Sequence, residues 1–159
     1  MRSKQIVSTV FLLFMMMLSP SAFADDTIYT AANHSLIHQV LSSMELEYEL
    51  TLDDGNDPIW TFTHLGILIT IISYDKLTAG RYESLLFYTG WAADAVISLA
   101  IVNEWNSNSR FGRAYVDTSG DPVIELDLLM TGGVTATTIS DYITVFAQAA
   151  SSLGVALEL

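Results

Sequence analysis

The spacing of apolar and polar positions changes period several times along the chain, and each change marks an element. Leu36, Ile37, Val40, Leu41 and Met44 form one stripe of a helix, which Thr30 or Asn33 is placed to cap. Tyr48, Leu50 and Leu52 then alternate with Glu49, Thr51 and Asp53, the period of two of a half-buried strand. Asp53-Asp54-Gly55-Asn56-Asp57-Pro58 is a turn, Ile59 to Phe62 a strand, and Thr63 to Gly66 a tight turn. Ile67 to Ser73 is continuously apolar and β-branched, as suits a central strand. Lys76 to Gly80 makes the next hairpin connection, and Tyr82 to Thr89 the next strand, closed by Gly90. From Ala92 to about Asn106, Ala93, Val96, Ile97, Ala100 and Ile101 return to helical spacing, with Asp94 in the first turn where it suits the helix dipole. Arg113 to Asp117 and Pro122 to Met130 flank Thr118-Ser119-Gly120-Asp121 as a hairpin. Gly132-Gly133 turns the chain into a third helix from Thr135, carrying Ile139, Tyr142, Ile143, Phe146, Ala150 and Leu153. The order αββββαββα predicts an α+β fold: an antiparallel sheet with helices packed on one face.

Residues 1–24 follow a different logic. Arg2 and Lys4 precede the apolar run Val10 to Leu18, which is followed by Ser19-Pro20-Ser21 and Ala22-Phe23-Ala24. This is the three-part layout of a secretory signal peptide with cleavage expected after Ala24. The run is too short to cross a hydrocarbon core of roughly 30 Å at about 1.5 Å per residue. The expected organisation is therefore a cleaved signal peptide over 1–24, a flexible leader over 25–33 and a single domain over 34–157. The mature protein is expected to be exported, to the periplasm or beyond the cell, without a membrane span.

Charge sharpens this picture. The 159 residues carry 6 Lys+Arg against 18 Asp+Glu, a formal net charge of −12. Removing residues 1–24 takes away Arg2 and Lys4 and no acid, leaving 4 basic against 18 acidic residues and a net charge of −14. Such a surface disfavours nucleic acid and anionic membranes, whose binding relies on Lys and Arg, and favours basic partners. The absence of cysteine excludes disulfides, thiolate catalysis, Cys-ligated zinc and iron–sulfur clusters.

Asn103-Glu104-Trp105-Asn106, then Arg110-Phe111-Gly112-Arg113-Ala114-Tyr115, Gly120-Asp121, Glu125-Leu126-Asp127 and Thr131-Gly132-Gly133-Val134 form a series. In that order they resemble the YbjN domain family of bacterial sensory transduction regulators, over roughly residues 34–155. The resemblance implies a fold similar to the type III secretion chaperones, small acidic homodimers that bind protein partners, and implies no enzymatic activity. Many exported members carry a cysteine pair around the hairpin that here spans Tyr74 to Glu83; this chain has none.

Read from the residues alone, Asn103 and Asn106 bracket a helix end where short amides can satisfy free carbonyls, and Trp105 docks that end against the sheet. In simple register Arg113, Tyr115, Glu125 and Asp127 share the uncovered face of the sheet, either as a solvated ion-pair face or as a binding face. Trp105, Arg110, Arg113, Tyr115, Glu125 and Asp127 are the candidate partner-binding residues. His34 and His38, four apart, have a metal-compatible spacing without a third ligand, and Asp53 to Asp57 lacks the glycine and glutamate of a calcium loop. No nucleophile motif or phosphate loop surrounds any Ser or His, so no cofactor or metal is expected. The expected function is a non-enzymatic protein-binding adaptor that forms a homodimer. The alternative is an envelope small-ligand binder, or a hydrolase whose residues assemble only in space.

Overall fold

The computed structural model describes residues 27–78 and 80–159; the expected signal peptide over 1–24 lies outside the described residues. The elements follow as α1 (His34–Ser43), β1 (Tyr48–Leu52), β2 (Pro58–His64), β3 (Ile67–Lys76), β4 (Tyr82–Gly90), α2 (Leu99–Asn108), β5 (Arg113–Val116), β6 (Pro122–Leu129) and α3 (Ala136–Leu157). The six strands form one sheet in the order β1-β2-β3-β4-β6-β5, and every pairing is antiparallel. The predicted α+β architecture is the observed one. Among the described residues no helix is long and apolar enough to cross a membrane.

The core lies between the sheet and its helices. Trp60, Phe62, Ile69, Ile71, Leu85, Phe87, Ile124 and Leu128 point to one side, as the period of two requires. Against them α3 packs Ile139, Ile143, Phe146, Ala150 and Leu153, with the rings of Phe87 and Phe146 tilted at 6.0 Å. The predicted stripe of α1 is buried through Leu36, Ile37, Val40 and Leu41. Asn33 Oδ1 accepts from the Leu36 N–H at 2.8 Å and Thr135 Oγ1 from the Thr138 N–H at 3.1 Å, so α1 and α3 open on side-chain caps. The turn after His64 places Leu65 and Gly66 both at positive φ, the pair that a two-residue hairpin with native twist needs.

Three expectations change. The stretch before α1, expected to be a loose leader, is tied down by β-bridges from Tyr29 to Val134 and from Ala32 to Tyr82. The strand β1 is less buried than its alternation implied, with Leu50 and Leu52 exposed. It is an edge strand; Tyr48 still meets His38 of α1, but Leu50 and Leu52 lie beyond the cover of the helices. The second helix starts at Leu99, not Ala92, and Ala92 to Ser98 are irregular. Val102 and Trp105 are the buried residues of α2, whereas the predicted stripe of Ala93, Val96, Ile97, Ala100 and Ile101 would lie on the other side of the same helix. Ile97 already packs against the core from the irregular segment, and propensity alone rarely sustains a short helix in water.

Candidate functional site

The face of the sheet turned away from the helices carries the predicted cluster. Arg113 lies directly opposite Glu125, and Glu125 opposite Tyr88 on β4. Arg113 is ion-paired to Glu125 Oε2, and Tyr115 Oη donates to Glu125 Oε1 at 2.7 Å. The pair is asymmetric: the Glu125 side chain is 12% exposed and that of Arg113 69%. The carboxylate is held in place while the guanidinium remains available to a partner, lying 6.0 Å from the centroid of the Tyr115 ring. The hydrogen bond to the Glu125 carboxylate, with burial and that negative charge, pushes the Tyr115 phenol up to about 12. Arg113's own hydrogen bond to Glu125 Oε2 raises it above its ordinary value. Burial, with Asp117, Glu125 and Asp121 nearby, raises Tyr88.

Beyond this cluster the same face continues as an apolar field. The registers place Ile59, Leu68, Ile72, Tyr74, Leu86 and Leu129 on it. Leu68 and Leu129 are 61% and 63% exposed, and Tyr74 is exposed as well. Thr61 and Thr70, opposite one another, share a 3.4 Å hydroxyl contact in its middle. Asp127, paired in register with Leu86, adds an exposed carboxylate. This wide face, with apolar side chains on β2, β3, β4 and β6 around the Thr61–Thr70 pair and charge toward β5, can take up an extended or helical segment of another chain by side-chain contact and ion pairing.

The six candidate residues therefore divide. Arg113, Tyr115, Glu125 and Asp127 share this face, as the hairpin register predicts. Trp105 and Arg110 do not. Trp105 is buried on the helix side, where its Nε1–H donates to Ser152 Oγ at 3.2 Å and fastens α2 to α3, not only to the sheet. Arg110 lies in the α2–β5 connection with its guanidinium 5.2 Å from the Phe111 ring centroid, beside a cleft between α2 and α3. The sequence pattern missed Tyr88, Leu86, Ile72 and Leu68: parity along each strand marks their side, but only the strand order makes them neighbours of Glu125.

Asn106 has a role other than capping its helix. Its Nδ2–H donates to the Ala114 carbonyl at 2.9 Å and its Oδ1 accepts from the Ala114 N–H at 3.0 Å. The side-chain amide thus replaces a neighbouring strand at the outer edge of β5. The opposite edge, β1, is the one left open to strand addition. At the far end of the sheet, Asp57 accepts from Tyr82 Oη at 2.9 Å and pairs with Lys76, a clasp between the β1–β2 turn and the β3–β4 hairpin. The Lys76 hydrogen bond holds the Asp57 carboxyl below its ordinary value. Asp53 Oδ1 is taken up by the Asp57 N–H at 2.8 Å, inside its own turn. His34 Nδ1 accepts from Trp60 Nε1 at 3.4 Å, and His38 Nδ1 lies 2.9 Å from Tyr48 Oη, so both rings serve α1–sheet contacts. Among the described residues no three His, Asp or Glu side chains gather as metal ligands would.

A search of solved structures finds the same fold in the Yersinia pestis type III secretion chaperone SycH, crystallised in complex with a stable fragment of YscM2. The TM-score is 0.52 at 13% identity, over 75% of this chain and 97% of that one. At that identity the likeness concerns the fold. No curated protein matches the chain. Residues 33–158 match the family model described as "Putative bacterial sensory transduction regulator", a span that includes all nine elements and both halves of the candidate site; the chain is a member of the YbjN family.

Proposed function

We propose that this protein is an exported, non-enzymatic adaptor that binds a protein partner on the open face of its sheet, and that it works as a homodimer. The observation that carries the reading is the exposed apolar field of Leu68, Tyr74 and Leu129 continuous with the ordered Arg113–Glu125–Tyr115 cluster. Family membership and a chaperone-like fold support a binding role, and the layout of residues 1–24 supports export. The acidic surface draws in basic partners at a distance, the apolar field supplies burial, and the exposed Arg113 guanidinium selects a carboxylate on the partner through a planar, two-pronged contact.

The test is affinity capture from envelope and culture-supernatant fractions with the mature protein, alongside Arg113→Ala and Leu129→Asp. A protein enriched by wild type and lost with both still-folded variants supports the reading. Its absence at low salt, where attraction between charges is strongest, refutes it. An intact mass beginning at Asp25 in the exported fraction establishes cleavage, and light scattering at several concentrations establishes the dimer.

A further inference from the structure

On the opposite side of the molecule from the open sheet face, the sequence and the structure disagree about one segment. Ala93, Val96, Ile97, Ala100 and Ile101 fall at i, i+3, i+4, i+7 and i+8, the stripe of an amphipathic helix, yet Ala92 to Ser98 are not helical. Val96 is 100% exposed, and Leu99 and Ile101 are exposed on α2 itself. The segment is bounded on one side by a cleft of about 720 Å³ that reaches Ile101, Ala156 and Leu159, and on the other by one of about 460 Å³ toward Val116 and Gly120. It therefore has room to rearrange.

Its ends are already prepared for a helix. A helix beginning at Ala92 leaves the N–H groups of its first turn without internal partners. Here the Ala93 N–H donates to Asp121 Oδ1 at 2.8 Å, so one of those donors is satisfied from outside, by a carboxylate placed where a helix N-terminus favours negative charge, and the Trp91 N–H just before it donates to the Pro122 carbonyl at 3.1 Å. Ala92, Ala93 and Ala95 are the strongest of helix formers. Ile97 is half-buried against the core, but Val96 and Ile101 are exposed; what is missing is cover for the rest of the apolar stripe, because α2 is held to the domain by its other side, through Val102 and Trp105.

The charges around the stripe choose the occupant. Asp94, Glu104 and Glu158 flank it, and among the described residues none of them is ion-paired. A second copy docking through the same face would bring the same three carboxylates and, among the residues lining these clefts, no lysine or arginine to meet them. A helix with an apolar stripe and lysines or arginines beside it would meet both the apolar and the acidic groups. We infer that the outer face of α2 is a docking site for a basic amphipathic helix of a partner protein, and that Ala92 to Ser98 join α2 when it docks. This site is separate from the open sheet face and stands whether or not that face binds a partner.

The test uses the purified protein and a synthetic peptide of about 18 residues, five helical turns, with leucines at i, i+3 and i+4 and lysines elsewhere. Controls are the same composition in scrambled order and the same pattern with glutamates. Ser98→Pro is the decisive variant. Ser98 has φ −72°, within proline's range, and makes no side-chain cap, so the free protein accommodates the change; the ring would interrupt an extended helix. The lysine peptide is expected to slow hydrogen exchange at residues 94–101 at least tenfold, roughly the protection that one turn gaining its own hydrogen bonds provides. Ser98→Pro is expected to weaken it about a hundredfold at unchanged Tm, the equivalent of the ~3 kcal/mol a helix-interior proline costs. Equal binding by Ser98→Pro, equal binding by the scrambled or glutamate peptide, or protection on β3, β4 and β6 in place of α2 would each overturn the inference. So would protection of 94–101 that grows with protein concentration alone, which would assign the face to a second copy.

Discussion

The Tyr115–Glu125–Arg113 cluster makes a prediction with opposite signs from its two charged members. Tyr115 stands at about 12 against an ordinary 10.0 because its hydroxyl donates to Glu125, because it is half-buried, and because that carboxylate is negative; the Arg113 charge pulls the other way. Glu125→Gln keeps an acceptor but removes the charge, so Tyr115 should titrate much nearer 10. Arg113→Ala removes the opposing charge and should move Tyr115 further up. The interval from 10 to about 12 corresponds to about 2.7 kcal/mol between the two protonation states at 1.36 kcal/mol per unit, and solvent screening at this partly exposed site reduces the share felt as stability to on the order of 1 kcal/mol. Because the folded value lies above the unfolded one, that stability is complete below pH 10 and is lost as pH rises toward 12. The assay is the ring-carbon NMR titration of Tyr115, assigned by its loss in Tyr115→Phe, with thermal melts at pH 8 and pH 11. A wild-type Tyr115 that titrates near 10, or two variants that shift it in the same direction, would refute the assignment of Glu125 as the holding group.

Three further outcomes follow from the packing. Phe146→Ala, at a fully buried ring against Phe87, is expected to cost about 4 kcal/mol and lower Tm by roughly 15 °C, read by calorimetry. Asn106→Ala removes two hydrogen bonds from Ala114 at about 1 kcal/mol each, and hydrogen exchange at the Ala114 amide should accelerate with no change at the β3–β4 pairing. Asp57 is held below its ordinary value by its hydrogen bond with Lys76, so its contribution is present above the ordinary carboxylate range and fades as pH falls through the lowered value; Asp57→Asn should lower Tm at pH 7 and converge with wild type near pH 2.

Local chemistry made most elements legible. The stripe of α1 with Asn33 before it, the strand stretches of β2 and β6, and the Gly-rich and Asx-rich turns each depend on a few adjacent residues, and each recurs in the structure within a residue or two. The hairpin register that joins Arg113, Tyr115 and Glu125 was readable for the same reason, since the short turn between Val116 and Pro122, five residues long, sets which residues face one another. The extent of α2 was not, because a 3.6-residue period reports that one side of a helix is apolar and says nothing about whether anything covers it.

The sequence alone, then, determined the kinds and order of the elements, the acidic surface and the lack of any cysteine chemistry, because these follow from composition and from neighbours along the chain. Only the tertiary structure decided that β6 lies between β4 and β5, and so that Tyr88 and Leu86 meet Glu125 and Asp127. It also placed Trp105 and Arg110 on the far side of the molecule, gave Asn106 an edge to close and left β1 open. The physical reason is common to all of these: strand order and helix cover are set by which arrangement buries the most apolar surface over the whole chain, a sum over residues far apart in sequence that no local pattern contains.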